Sequence, residues 1–188
     1  MSTKSLDSNS PEGKVHLFGK RQSRRSNMID YPGSLAAIKI DETVKLLVLD
    51  VDGTLWTNSF DPGRHPPFKR IGSNEIMTGD GEIIRLSPGL LELLYQANEK
   101  GVMCSLASIG DPDVVLGIVE QFQLPTKFIR PQLGWNGKDA MIEEILRQLE
   151  LEDGIKISDA EILFVDDDEK ELLKVGDRFP GAKLVKAP

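Results

Sequence analysis

At 188 residues the chain has the length of one ordinary domain, and with 39% hydrophobic residues it can bury a core without disulfide or metal staples. Its single cysteine, Cys104, excludes an intramolecular disulfide and a Cys-rich zinc site, and its two histidines, His16 and His65, stand far apart, which leaves carboxylates to carry any chemistry. A formal net charge of -7 speaks against a dedicated nucleic-acid surface; with no apolar run of membrane-spanning length and no signal-peptide-like start, neither nucleic acid nor membrane is expected as a partner, and the expected location is cytoplasmic.

Residues 1–40 are rich in Ser, Lys, Arg, Asn, Gly and Pro and show no sustained hydrophobic period, so they read as a flexible basic N-terminal extension. Its cluster Lys20-Arg21-Gln22-Ser23-Arg24-Arg25 reads either as a docking patch for a partner or as a solvated tail. A short apolar stretch near its end, Leu35-Ala36-Ala37-Ile38, is the part able to pack onto the body.

A folded domain is expected over 41–188. Lys45-Leu46-Leu47-Val48-Leu49 is a continuous apolar run that ends in Asp50, as a strand covered on both faces would. The segment between Trp56 and Leu86 breaks the rhythm. Within it Ile76-Met77-Thr78, Gly79-Asp80-Gly81 and Glu82-Ile83-Ile84 predict a hairpin, large enough for a flap but not for a cap domain. Ser87-Pro88 then predicts a helix start, with Leu90, Leu91, Leu93, Leu94 and Ala97 as its apolar stripe and Gly101 as its stop. A second buried strand follows at Val102-Met103-Cys104-Ser105-Leu106-Ala107, then a helix opened by Asp111-Pro112, then a short strand around Phe128-Ile129. A helix over 138–149, a strand at Glu161-Ile162-Leu163-Phe164-Val165, a helix over 169–176 and a strand near Lys183-Leu184-Val185 complete the chain. Strands alternating with helices of this length predict an α/β fold, a Rossmann-like parallel sheet flanked by helices. In such sheets ligands bind beyond the carboxyl ends of the strands, where Asp50, Ser108 and Asp166 fall.

Asp50 and Asp52 are two apart at a strand end, so their side chains leave the same face. Two carboxylates so close share a proton or a cation, and hard oxygens without His or Cys suit Mg²⁺. Taken singly, each neighbour has a structural explanation: Asp-Gly as a turn, Ser108 as a cap, Lys138 as an exposed helix lysine, Asp166-Asp167-Asp168 as the acidic start of a helix. In order, at the ends of strands of one sheet, they form a set.

That set resembles the haloacid dehalogenase superfamily. Asp50-Val51-Asp52-Gly53-Thr54 matches its first motif, Ser108 the second, Lys138 the third and Asp166-Asp167 the fourth. Within it, Asp52-Gly53-Thr54-Leu55-Trp56, Leu106-Ala107-Ser108 and Phe164-Val165-Asp166-Asp167-Asp168-Glu169 look most like the magnesium-dependent phosphatase 1 family, and the resemblance covers roughly residues 44–188. It implies a Mg²⁺-dependent phosphatase acting on phosphate monoesters, on phosphotyrosine in proteins or on sugar phosphates, through an aspartyl-phosphate. Asp50 is then the nucleophile and Asp52 the general acid and base, while Thr54, Ser108 and Lys138 bind the phosphate. Mg²⁺ is held by the Asp50 carboxylate, the Asp52 backbone carbonyl and Asp167, with Asp166 supporting. Glu171 stands where members often carry Asp or Asn, which leaves its part in the outer metal shell open. The alternatives are a phosphoryl or acyl transferase of the same fold and a non-catalytic binding protein. Trp56, Phe60 and the hairpin are expected at the rim of an open site, either to stack on a substrate or to pack under the flap.

Overall fold

The computed structural model describes residues 28–188; the basic cluster of residues 20–25 lies outside them. In chain order its strands are β1 (Ile29–Asp30), β2 (Leu46–Leu49), β3 (Lys69–Arg70), β4 (Glu75–Met77), β5 (Ile83–Arg85), β6 (Met103–Ile109), β7 (Gln132–Gly134), β8 (Ile162–Asp166) and β9 (Lys183–Lys186). The helices are α1 (Leu90–Glu99), α2 (Pro112–Phe122), α3 (Lys138–Asp153) and α4 (Glu169–Arg178).

β2 is buried along its whole length, and the continuous apolar run explains why: each face meets a different helix layer. Leu46 and Val48 pack with Met141 and Ile145 of α3 and with Leu172 and Val175 of α4. Leu47 and Leu49 face the other way, into a cluster with Leu90 and Leu94 of α1 and Ile118 and Phe122 of α2. Each such leucine contributes roughly 1.5–3 kcal/mol by leaving water, so the central strand is anchored from both sides. Around it the order is β1-β9-β8-β2-β6-β7, with every pairing parallel. The Rossmann-like α/β architecture is the one expected. A separate antiparallel sheet, β3-β4-β5, forms the flap after β2 and adds a third strand to the expected hairpin; Ile76 and Ile84 pair across it and are fully buried. Among the described residues no helix is long and apolar enough to cross a membrane.

Beyond the flap's third strand, the structure departs from what the sequence predicts at three further places. Residues 29–40 are not a loose extension. β1 pairs with Leu184 and Val185 at the sheet edge, Leu35, Ile38 and Ile40 are buried in the core, and Gln96 Oε1 accepts the Ile40 N–H at 2.7 Å. The apolar stretch of residues 35–38 packs onto the body as expected, while a two-residue strand and a single 3-10 turn are too short to carry a period, so the rest reads as unstructured although tertiary contacts order it. Helix α1 begins after Gly89 rather than at Ser87-Pro88. Gly89 holds φ 82°, and a Cβ there would lie 2.5 Å from the Ala36 backbone nitrogen, so this glycine lets the N-terminal segment close onto the helix start. Phe128 makes only an isolated bridge to Cys104, and the edge strand lies further on, at β7.

Candidate active site

Three strand ends converge at the carboxyl edge of the sheet. Asp50 directly follows β2, and its backbone N–H donates to the carbonyl of Val165 at 2.9 Å, which sets it beside Asp166 at the end of β8. Ser108 lies two residues past Leu106, the register partner of Leu49, on the opposite neighbour β6, and is 1% exposed. Lys138 opens α3 and reaches back: its Nζ donates to Asp50 Oδ1 and, at 3.1 Å, to Asp166 Oδ2. Asp50, Lys138 and Asp166 are all buried. Lys138, an exposed helix lysine on the structural reading, is instead a core cation.

Asp166 Oδ1 accepts the Asp168 N–H at 2.7 Å, so both of its oxygens are engaged inside the protein. Asp167 is exposed and comes to the same place: carboxylate oxygens of Asp50, Asp166 and Asp167 lie within 4.8 Å of one another. Its close neighbour is Gly53, at φ 77°, where a Cβ would stand 2.5 Å from Asp167 Oδ2. The Asp50–Trp56 loop turns tightly on the Val51 carbonyl, which accepts the N–H groups of Thr54, Leu55 and Trp56. Thr54 Oγ1, within that turn, is buried without a partner among the described residues. Glu171 stays outside the cluster and pairs with Lys174.

The charge balance of this group is uneven. Burial pushes the Asp50 and Asp166 carboxyls above their usual range, against the pull of the Lys138 ammonium. Lys138 itself pays for its burial with desolvation, which Asp50 and Asp166 more than offset, so it remains a cation. Two buried carboxylates share one ammonium, with a third carboxylate at the mouth. That surplus is offset by a proton or by a cation, and an all-oxygen donor set without His or Cys fits a hard divalent ion such as Mg²⁺.

Asp52 points to a second group. Its Oδ1 accepts from Trp56 Nε1 at 2.8 Å and from the guanidinium of Arg64. Trp56 is fully buried, so of the two expected outcomes it takes the packed one. The cleft beside Asp52 is lined by Phe60, Arg64, Gly110 and Trp135; Phe60 and Trp135 meet edge to face at 5.9 Å and both are exposed.

A family model described as Acid Phosphatase matches residues 42–176, most of the chain. The chain belongs to the acid phosphatase family. Among relatives of this phosphatase, Magnesium-dependent phosphatase 1 of Homo sapiens is 27% identical over 132 residues, which cover 70% of this chain and 72% of that protein. A crystal structure of the N-terminal part of a Bacteroides fragilis protein, containing a phosphatase domain and complexed with Mg, matches with a TM-score of 0.50 at 23% identity. That likeness is one of fold; it covers 77% of this chain, and the chain spans about a third (35%) of that one.

Two residues at the phosphatase's cleft escaped the sequence reading. Arg64 sits in an irregular loop, Asp61-Pro62-Gly63-Arg64-His65-Pro66-Pro67, where no period announces burial, yet it is 5% exposed. Trp135 follows β7 and is 71% exposed, and a tryptophan set in the turn-like run Gly134-Trp135-Asn136-Gly137 was the available signal.

Proposed function

We propose that this phosphatase hydrolyses phosphate monoesters in a Mg²⁺-dependent reaction with Asp50 as nucleophile. The observation that carries the reading is the excess of carboxylate over ammonium where Asp50, Asp166 and Asp167 meet Lys138. Mg²⁺ would be held by the Asp50 carboxylate, the Asp52 backbone carbonyl and Asp167. Asp166 would brace the site, in keeping with oxygens already taken by Lys138 and the Asp168 N–H. The human relative's name and the Mg in the Bacteroides fragilis crystal agree with that choice of ion. When bound, it would supply positive charge that lets an anionic nucleophile approach an anionic phosphate.

In the first step a carboxylate oxygen of Asp50 attacks phosphorus, the bond to the leaving oxygen breaks, and Asp52 protonates that oxygen, leaving an aspartyl-phosphate. In the second, water attacks the same phosphorus, Asp52 takes its proton, and inorganic phosphate departs with Asp50 restored. Lys138, Ser108 and Thr54 would hold the phosphoryl oxygens where charge develops; the unpartnered Thr54 hydroxyl supports its share. Lys138 has a second task, opposing the burial that pushes the Asp50 carboxyl up.

For substrate, the open cleft with Phe60 and Trp135 on its rim suits a phosphate ester carrying a ring next to the phosphate, as phosphotyrosine in a protein or a sugar phosphate would. The test is phosphate release from an aryl phosphate and from a sugar phosphate, with Mg²⁺ and with EDTA, by wild-type and Asp50→Asn protein. Release by the wild type with Mg²⁺ and no added acceptor, lost in EDTA and in Asp50→Asn, is the expected result. Undiminished release by Asp50→Asn would refute the assignment.

A further inference from the structure

Arg64 is a buried cation at the junction of flap and active site. Nε donates to Glu82 Oε2 at 2.7 Å, one terminal nitrogen to Glu82 Oε1 at 3.2 Å and to the Ser59 carbonyl, and the other to Asp52 Oδ1. Glu82, just before the flap's last strand, itself accepts from Asn58 Nδ2 at 2.9 Å. The guanidinium also stands 6.0 Å from the centroid of the buried Trp56 ring, whose Nε1 donates to the same Asp52 oxygen. Charge neutralisation alone would be met by Glu82. The contact with Asp52 needs another account.

Two N–H donors on one carboxylate oxygen fix the plane of the group. They also fill the lone pairs of Oδ1, so a proton carried by Asp52 resides on Oδ2, on which no donor is recorded among the described residues. We propose that Arg64 is a positioning residue of the reaction: with Trp56, and held by Glu82, it orients Asp52 so that Oδ2 alone passes the proton to the leaving oxygen. The inference rests on the reading of Asp52 as general acid. In the step it serves, the Asp50 oxygen–phosphorus bond forms, the phosphorus–leaving-oxygen bond breaks, and the proton on Oδ2 moves to the departing oxygen.

Orientation of an acid matters only where the leaving group needs the proton. A dinitrophenolate departs without one, while an alkoxide does not. The experiment therefore compares kcat/KM for 2,4-dinitrophenyl phosphate and for glycerol 2-phosphate, with saturating Mg²⁺, in wild type, Arg64→Met, Arg64→Lys and Asp52→Asn. Arg64→Met is expected to lose about 100-fold on the alkyl ester and less than about 5-fold on the dinitrophenyl ester, with Arg64→Lys showing the same split at smaller size. Asp52→Asn should show that split enlarged. A role limited to holding the flap would lower both substrates together. Equal losses, or none, in Arg64→Met, or in Arg64→Lys should the first variant not fold, while Asp52→Asn keeps the split, would overturn the proposal. Equal losses in Asp52→Asn would overturn the reading of Asp52 beneath it as well.

Discussion

Asp50 is buried with more negative charge around it than Lys138 can neutralise, and the behaviour of single substitutions follows from that imbalance. In the proposed mechanism Lys138→Ala removes both a phosphate ligand and the counter-charge of the nucleophile, and should lower kcat/KM by about 10²–10³-fold in a steady-state assay with Mg²⁺. Gly53→Ala forces a Cβ to within 2.5 Å of the Asp167 carboxylate and places alanine at φ 77°. It should cost about 1–2 kcal/mol in urea unfolding and raise the Mg²⁺ concentration needed for half-maximal activity. An unchanged Mg²⁺ response would show that Asp167 takes no part in holding the ion. Asp50, Ser108, Lys138 and Asp166 stand out in the sequence as a set rather than singly: each lies where an apolar run ends or a helix begins, and only their order along one sheet and the family resemblance mark them together. Arg64 was not legible, since its burial comes from Glu82 and Asp52 converging on it across the flap, and nothing within the loop's own residues encodes that.

Among the elements, the N-terminal segment carries the sharpest lesson. The parallel strands and their helices were readable from apolar runs and caps; Asp111, for example, accepts the Asp113 N–H at 2.9 Å ahead of Pro112, as the Asp-Pro pair predicts. In the N-terminal segment only the apolar stretch of residues 35–38 signals packing; the rest carries no such signal, because β1 gains its order from pairing with β9. Leu35→Ala should lower stability by about 2–5 kcal/mol in urea denaturation, a core-sized loss from a short apolar stretch within an otherwise polar segment. A change within about 0.5 kcal/mol would place Leu35 at the surface instead. Gln132–Gly134 was missed for a similar reason: a three-residue edge strand gains its register from β6, not from its own composition.

At the level of the whole molecule, the active-site charge couples catalysis to stability. Burial raises the Asp50 pKa to about 7, and Asp166 is raised in the same sense. A raised folded-state pKa contributes stability that is present below the unfolded value near 4 and lost as pH climbs through the folded value. In EDTA, the Tm should thus rise as pH is lowered from about 8 to about 5. Mg²⁺ binding to the folded state should raise Tm at about pH 7–8 and flatten that slope. At lower pH the sign reverses: Lys45 holds Glu161 down at about 2, and Lys183 holds Asp41 low, so the stability they contribute is lost as pH falls through those values. A Tm in EDTA that does not vary between about pH 5 and 8 and ignores Mg²⁺ would mean that the carboxylate excess is not felt. The central claim, that Asp50 becomes phosphorylated, is tested most directly by trapping. Protein quenched with acid during turnover of an aryl phosphate with Mg²⁺ and then reduced with borohydride should yield homoserine at position 50 on peptide mapping. Turnover under the same conditions with Asp50 unmodified would contradict it.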